Sequence, residues 1–256
     1  MPILGTIASS FELPLSPLYG SNPPVSGYTL WLDGEDTSNI TQSGGLVSQW
    51  SDKSGNGRHF TQGTSANQPT SSTRRLNNRN VLDFDGTNDL MFCPSSEGLF
   101  NYFHNNTGGT AFFVGIRDTS VEGFMFGNTT TTSAIGIQAN LGSGMVMTTG
   151  RSGYPYAQLA NAVNIPLNAG FQTAYRFQMS AALSGRLKVS LNGGSFTGTA
   201  TNNDPTAPPS GDSSNPMILA NGTYDGAIAE VIFYSGILSD ANVTSTVNYL
   251  TAKWGL

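Results

Sequence analysis

The hydrophobic and polar positions of residues 227–256 change from a strand pattern to a helical pattern. Ile228 and the run at residues 231–234 are β-branched or aromatic, which predicts a strand. Apolar side chains then recur at the spacing of one helix face, at Val243, Val247, Leu250 and Trp254. The chain is therefore predicted to end in a strand followed by one amphipathic helix.

The boundaries of this helix carry their own signals. Ser239 is a favourable N-cap residue, and Asp240 follows in the first turn, where the helix dipole stabilises a carboxylate. Gly255 comes directly after the last apolar residue of the pattern, as expected at a helix C-terminus. A single helix at the end of a strand-rich chain is expected to pack on the outside of a sheet.

Short apolar or alternating runs recur through the rest of the chain, separated by turns rich in Gly, Asp and Asn. They lie at residues 28–34, 47–50, 80–86, 110–116, 123–126, 135–139, 144–148, 174–179, 186–191 and 217–219. Their spacing is typical of a two-sheet antiparallel sandwich. Residues 149–170 and 197–216 are predicted to be long loops, where a binding site would be expected on such a scaffold.

Composition and charge narrow the possibilities further. The 31 glycines and the 11% of charged residues suit short strands and polar turns, so the chain is predicted to be all-β. Its 256 residues are enough for one sandwich domain with a sizeable core. The net charge of −5 and only 11 basic residues argue against a nucleic-acid partner.

The cysteine and the N-terminal residues bear on the chemistry and the location of the protein. The single cysteine, Cys93, lies among apolar neighbours and excludes an intramolecular disulfide, so an inert buried thiol is expected. Residues 1–28 have no basic segment followed by a long apolar run, and no stretch of the chain has the roughly 20 apolar residues of a membrane span. Neither a secretory signal nor membrane insertion is expected.

The N-terminal region divides into an apolar patch and a linker. The linker, residues 12–27, contains Pro14, Pro17, Pro23 and Pro24 and is predicted to be extended. The patch before it contains Ile3, Leu4, Ile7, Phe11 and Leu13. These side chains form either an edge strand of the same domain or an arm that docks on another protein. We divide the chain into an arm and linker, residues 1–27, and a domain, residues 28–256.

Four stretches in this order resemble one known superfamily: LWLDGEDTSNI, VSQWSDKSGNGRHFTQ, NVLDFDGTNDLM and IAEVIFYSGILSDANVTSTVNYLTAKWGL. The chain is similar to the concanavalin A-like lectin/glucanase superfamily, in its laminin-G-like branch. The resemblance implies a jelly roll of two curved antiparallel sheets. The opening MPILGTIASS, joined by a Pro-rich stretch to such a domain, also resembles small structural proteins of tailed bacteriophages.

A catalytic role is not expected. The superfamily's glycosidases carry an acid and a nucleophile on one strand, both facing the same side. The glutamates of this chain have no carboxylate two or four residues along the same strand; they are Glu12, Glu35, Glu97, Glu122 and Glu230. Asp83 and Asp85 do have this spacing, but they belong to an LDFDG motif that suggests turn anchoring. His59 and His104 are isolated from any nucleophile motif, so no catalytic residue is assigned.

Metal and glycan sites are the remaining possibilities. Calcium could be held by the aspartates at strand ends, Asp33, Asp36, Asp85 and Asp89, and some members of the superfamily bind it. Asp in DG and ND turns is more often bonded to nearby backbone, so neither a metal nor a cofactor is assigned. A sugar site would need exposed aromatic platforms, for which the candidates are Tyr154, Tyr156 and Tyr224.

These observations lead to one hypothesis and one alternative. The hypothesis is a non-enzymatic phage virion protein, a capsid decoration, fibre or tail appendage, whose arm docks on other virion proteins. Its lectin-like jelly roll would be displayed on the particle surface as a homo-oligomer, for particle stabilisation or for adhesion to a host-surface glycan. The alternative is a secreted carbohydrate-binding module with an arm that folds back on its own domain.

Overall fold

The computed structural model describes residues 22–96, 98–104, 107–120, 123–128, 136–141, 145–150, 157–160, 162–200 and 216–256. In this part of the chain there are 16 strands and one α-helix. The first eight strands are β1 (Tyr28–Asp33), β2 (Ile40–Ser43), β3 (Leu46–Trp50), β4 (Phe60–Thr61), β5 (Thr70–Leu76), β6 (Arg79–Asp85), β7 (Met91–Cys93) and β8 (Gly109–Arg117). The others are β9 (Gly123–Gly127), β10 (Gly136–Leu141), β11 (Met145–Gly150), β12 (Ala157–Ala160), β13 (Gly170–Phe177), β14 (Leu187–Leu191), β15 (Met217–Leu219) and β16 (Asp225–Ser235), followed by α1 (Asp240–Trp254).

The strands form one antiparallel sheet that curls over itself into two layers. One layer has the order β5-β6-β16-β8-β13-β14, and β1 also pairs with β16. The second layer has the order β3-β4-β7-β15-β9-β10-β11-β12, with β2 beside β3. The layers are continuous where Leu46 of β3 pairs with Thr70 of β5. The architecture is a jelly-roll β-sandwich with a C-terminal helix. The strand pattern predicted the sandwich and the helix, and the resemblance to the lectin-like superfamily implied the jelly roll.

Strand β16 is the centre of the first layer. It pairs with β8 along its whole length on one side, and with β6 and then β1 on the other. Its residues are buried on both faces: Val231 and Phe233 belong to the core between the layers, and Ala229 and Ile232 to a second cluster under α1. A strand covered on both faces reads as a continuous apolar run rather than an alternating one.

The core between the two layers is dominated by aromatic rings. Phe103 and Phe233 meet edge to face with their centroids 5.1 Å apart, and Phe113 stacks with Phe171 at 6.0 Å. Cys93 lies in this core and is 1% exposed, so it is buried as predicted. Each buried aromatic side chain of this kind removes 150–250 Å² from water, roughly, and such rings dominate core energetics.

Helix α1 begins and ends where the sequence predicts. The Ser239 hydroxyl accepts a hydrogen bond from the Asn242 backbone N–H at 3.3 Å, and Gly255 adopts a left-handed conformation with φ of 70°. The buried face of the helix packs on the outer face of the first layer through Val243, Val247, Tyr249, Leu250 and Trp254. The described residues contain no helix that is long and apolar enough to span a membrane.

Five strands lie outside the runs that the sequence pattern indicated: the short strands β4 and β7, and β2, β5 and β12. β2 and β5 are polar, and β5 (TSSTRRL) is partly exposed, because its place in the sheet comes from backbone pairing rather than from apolar burial. β12 lies within residues 149–170, so the prediction of one long loop there is wrong. Of the second predicted loop, residues 201–215 are outside the described part of the chain.

The described end of the linker already contacts the domain. Pro23 is buried, and the Tyr234 hydroxyl donates to the Val25 carbonyl at 2.9 Å. Val25 also packs against the cluster under α1. Residues 1–21 lie outside the described part, so the arm and its boundary at residue 27 stay predictions.

Candidate functional site

Glu230 lies in the middle of β16 and is completely buried under α1. Its Oε1 accepts hydrogen bonds from Trp31 Nε1 at 2.8 Å and from the Tyr249 hydroxyl at 2.9 Å. Its Oε2 accepts one from Trp254 Nε1 at 2.7 Å and lies 2.9 Å from Lys253 Nζ. Burial raises the pKa of Glu230, and the charge of Lys253 acts in the opposite direction. With four donors and no exposed surface, this carboxylate is built to hold α1 on the sheet.

Asp33 is the cross-strand neighbour of Glu230 and shares its lysine. The Asp33 carboxylate lies 2.7 Å from Lys253 Nζ and 2.9 Å from Lys53 Nζ. Lys53 also lies 2.7 Å from Asp36, and its hydrogen bond lowers the pKa of Asp36 to about 2. The carboxylate oxygens of Asp33 and Asp36 are therefore already paired with the ammonium groups of Lys53 and Lys253. A calcium ion would need the same oxygens as ligands, so Asp33 and Asp36 do not fit a calcium site.

Asp85 and Asp89 close the turn that follows β6. The Asp85 Oδ1 accepts hydrogen bonds from the backbone N–H groups of Thr87, Asn88 and Asp89, and Asp89 Oδ2 accepts one from the Asp85 N–H at 3.0 Å. Burial raises the pKa of Asp89 to about 6, and the nearby charge of Asp85 adds to the effect. Both carboxylates serve the backbone of their own turn, which does not fit a calcium site either.

Asp83 does not act together with Asp85. Arg74 Nη1 donates a hydrogen bond to the Asp83 carboxylate at 3.0 Å. The same guanidinium also donates hydrogen bonds to both carboxylate oxygens of Asp118. Asp225 is the cross-strand partner of Asp85, and burial raises its pKa, with further contributions from Asp118 and Asp83. Among the described residues, no group of three or more His, Cys, Asp and Glu side chains is arranged to hold a metal ion.

The other residues that the sequence offered as catalytic or sugar-binding candidates either serve the structure or lie outside the described part of the chain. The Asp52 backbone N–H donates to His59 Nδ1 at 3.0 Å, and His104 is completely buried. Tyr224 is 1% exposed, and its hydroxyl donates to the Ile116 carbonyl at 2.8 Å, so its interpretation as a sugar platform is wrong. Glu12, Glu97, Glu122, Tyr154 and Tyr156 lie outside the described residues.

A polar groove of about 560 Å³ runs between α1 and the turn after β14. One wall is the exposed side of the helix, with Asp240, Thr244, Asn248 and Thr251, and the other is the turn at residues 192–196. Val243 and Val247 also line it. The sequence pattern does not indicate this groove, because its walls come from segments some 50 residues apart and neither wall has a distinctive motif.

Arg176 and Phe196 form one end of the groove. The guanidinium lies over the Phe196 ring, 4.1 Å from its centroid, and Nη2 donates to the Leu238 carbonyl at 2.9 Å and to Asp240 at 2.6 Å. The buried Arg176 Nε has no hydrogen-bond partner. A cation stacked on an aromatic ring and tied to the helix gives this end of the groove a defined shape.

Comparisons with known proteins identify the fold. No family model and no curated protein matches the chain. Domain 4 of AbnA, a GH43 extracellular arabinanase from Geobacillus stearothermophilus solved in complex with arabinotriose, is similar with a TM-score of 0.57 at 16% identity, over 87% of this chain and 98% of that domain. Trypanosoma rangeli sialidase in complex with sialic acid is similar with a TM-score of 0.57 at 12% identity, over 91% of this chain and 34% of the sialidase.

The binding domain of botulinum neurotoxin DC, in complex with SialylT, is similar with a TM-score of 0.53 at 9% identity, over 88% of this chain and 52% of that domain. The chain thus spans about a third of the sialidase and half of the toxin domain, but nearly all of the arabinanase domain. The matched parts of these neighbours share the β-sandwich fold of this chain, and the arabinanase domain and the sialidase were solved with arabinotriose and sialic acid. At such identities the likeness identifies the fold of this chain and not its ligand.

Proposed function

We propose that this chain is a non-enzymatic glycan-binding jelly roll that is displayed on the surface of a tailed-bacteriophage particle. The observation that carries the glycan-binding part is the match to the arabinanase domain, which was solved with arabinotriose and is covered over 98% of its length. The match covers 87% of this chain and nearly the whole of that domain, so the two correspond over the complete sandwich. The host-surface ligand would then be a carbohydrate.

The non-enzymatic part is supported by the carboxylates of the described residues. Glu230 is paired with Lys253, Asp33 with Lys253 and Lys53, and Asp85 accepts hydrogen bonds from three backbone N–H groups of its own turn. Retaining glycoside hydrolysis needs an accessible acid and nucleophile roughly 5 Å apart. Incubation of the full chain with neutral and acidic oligosaccharides should release no new reducing ends, and any turnover above a buffer control would contradict this part of the proposal.

The virion part rests on the N-terminal sequence. An apolar stretch containing Ile7 and Phe11, placed before a Pro-rich linker, is suited to docking on a capsid or tail protein, where burial contributes about 25 cal/mol per Å². The protein would be assembled in the host cytoplasm, and many copies on one particle would make weak glycan contacts effective. A homo-oligomer whose arms dock on the particle would display several jelly-roll domains on its surface.

Two measurements test the proposal. The full chain, presented in multivalent form, should bind members of a glycan array, and binding to no glycan would overturn the glycan-binding part. Purified particles of the source phage should contain the chain in stoichiometric amounts, and its absence from particles would overturn the virion part. Glycan binding by a chain that is absent from particles would favour the second candidate, a secreted carbohydrate-binding module.

Arm variants in the full chain separate docking from folding. Ile7→Asp with Phe11→Asp introduces two charges into the apolar stretch, and Ser9→Asp with Ser10→Asp introduces the same charge at polar positions. If the arm docks on a virion partner, the first pair abolishes incorporation into particles and leaves the melting temperature unchanged, while the second pair is incorporated normally. If the arm is an edge strand of its own domain, the first pair instead lowers the melting temperature.

A further inference from the structure

The groove between α1 and the turn after β14 has a rigid frame. The backbone N–H of Gln172, on β13, donates to Asn192 Oδ1 at 2.9 Å, and its side-chain Nε2 donates to Thr251 Oγ1 at 2.5 Å. One residue of the sheet therefore holds the turn on one side of the groove and the helix on the other. Gln172 is 2% exposed, and its Oε1 has no hydrogen-bond partner. The groove is pre-formed rather than created by a movement of the helix.

Polar groups along the groove are available to a ligand. The side chains of Ser195, Thr244 and Asn248 are exposed, and no hydrogen bond joins them to another described residue. Thr244 and Asn248 lie one helical turn apart, so both project along the same wall. A hydroxyl group and an amide each supply a donor and an acceptor, which is the pairing that a sugar hydroxyl requires.

The charges and the apolar surfaces of the groove define the class of ligand. The charged side chains of its lining are Arg176 and Asp240, which are paired with each other at 2.6 Å, so the lining is neutral overall. An anionic ligand would have to displace Asp240 from Arg176, and a cationic ligand would have to displace Arg176 from Asp240. Phe196, which is only partly buried, adds apolar surface against which the C–H face of a pyranose or furanose ring can pack.

We propose that this groove is the glycan site of the domain and that it binds a neutral oligosaccharide, with Thr244 and Asn248 hydrogen-bonding the sugar hydroxyls and Phe196 packing against a ring face. The proposal rests on the proposed glycan-binding function and names its site and ligand class. The site is on the helix side of the sheet, outside the core between the two layers. A volume of about 560 Å³ lies in the range of pockets that bind small molecules.

The test uses two double variants of the full chain. Thr244→Ala with Asn248→Ala removes the polar groups of the groove wall. Ser245→Ala with Asn242→Ala removes a hydroxyl and an amide from the same helix at positions that do not line the groove. Alanine favours helix at all four positions, so both variants are expected to fold. Matched melting temperatures would establish this before binding is measured.

The probes are immobilised neutral gluco-, galacto-, manno- and arabino-oligosaccharides, with sialylated glycans on the same array. We expect the wild-type chain to bind at least one neutral series, the Thr244/Asn248 variant to lose at least tenfold in apparent affinity, and the Ser245/Asn242 variant to bind as the wild type does. If both variants bind a neutral glycan with the same affinity as the wild type, the groove is not the binding site, but the proposed glycan-binding function is still supported. Binding of sialylated glycans alone would overturn the neutral ligand class, and binding of no glycan by the wild type would overturn the proposed function and the site together.

Discussion

Lys253, in the last turn of α1, places its ammonium 2.9 Å from the Glu230 carboxylate, which is buried in the middle of β16. The same ammonium lies 2.7 Å from Asp33 at the end of β1. One lysine thus joins the C-terminal helix to the first strand of the domain and to the central strand of the layer. The two buried carboxylates that share this lysine are cross-strand neighbours, and Lys53 supplies a second positive charge to Asp33.

Removal of the Glu230 carboxylate should destabilise the protein strongly. Glu230→Ala leaves the indole N–H groups of Trp31 and Trp254 buried without an acceptor and removes one of the two carboxylates paired with Lys253. Breaking a buried ion pair costs about 3–5 kcal/mol. The double variant Glu230→Leu with Lys253→Met should lose less than the sum of the two single variants, because it removes both charges. Urea unfolding measures these free energies.

A matched control for this experiment is Glu35→Gln. Glu35 pairs with Arg79 near the same end of the sheet, but both side chains are more than a third exposed. Its loss should cost less than about 1 kcal/mol, as is usual for exposed ion pairs. An equal effect of Glu230→Ala and Glu35→Gln on the free energy of unfolding would contradict the role assigned to the buried pair.

Gly226→Ala should be among the most destabilising substitutions of a glycine in this protein. Gly226 has a φ of 146°, and a Cβ there would collide with the Ile116 carbonyl of the neighbouring strand β8. A clash with backbone in the centre of a sheet cannot be relieved by a rotamer change, so we expect a loss of about 3 kcal/mol or more. Gly236→Ala is the control: its φ is 95° but no atom lies within 4 Å, so about 1–2 kcal/mol is expected. Similar midpoints of urea unfolding for the two variants would refute the clash.

Asp89 should make stability depend on pH between about 4 and 6. Burial raises its pKa from 3.8 to about 6, so as the pH rises the unfolded chain ionises first. The stability associated with the protonated carboxyl is present below pH 4 and is lost as the pH rises through 6. Asp89→Asn keeps an oxygen acceptor for the Asp85 N–H but cannot ionise, so its stability does not fall as the pH rises. At pH 7.5 its free energy of unfolding should exceed that of the wild type by about 1 kcal/mol, after allowance for solvent screening.

Asp85 supplies a control of opposite sign. Burial acts to raise its pKa, but hydrogen bonds from the backbone N–H groups of Thr87, Asn88 and Asp89 outweigh this, and the net pKa is lowered. Asp85 therefore stabilises the protein above its unfolded pKa, and this contribution is lost as the pH falls. Asp85→Asn should destabilise the protein at pH 7.5, as measured by denaturant unfolding. A stabilising effect would show that the carboxylate does not serve this turn.

Tyr224→Phe should affect stability and leave glycan binding unchanged. The buried hydroxyl donates to the Ile116 carbonyl at 2.8 Å and lies 3.2 Å from the Ala227 carbonyl, so its removal should cost about 1 kcal/mol. Since the ring is inside the core, it cannot stack against a sugar. Loss of binding on a glycan array without a change in melting temperature would show that Tyr224 belongs to a binding site after all.

Much of the fold could be predicted because local patterns and tertiary packing agree. The apolar run of β16 and the periodic residues of α1 follow directly from burial, and Ser239 and Gly255 bound the helix through local backbone geometry. The polar strand β5 and the short strand β12 could not be predicted this way. Their stabilisation comes from backbone pairing with the strands next to them in sequence, β6 and β11, and backbone pairing leaves no hydrophobic period in the sequence.

The candidate groove and the buried ion pair are results of tertiary structure. The sequence by itself determined that the chain is an antiparallel β-sandwich with one capped C-terminal helix, because hydrophobic period and capping chemistry act over a few residues. It also determined that Cys93 is a buried core residue. Only the tertiary structure decided that Glu230 meets Lys253, that Tyr224 is buried, and that the turn at residues 192–196 faces Thr244 and Asn248. These contacts join segments distant along the chain, and they depend on strand order and register, which no local pattern encodes.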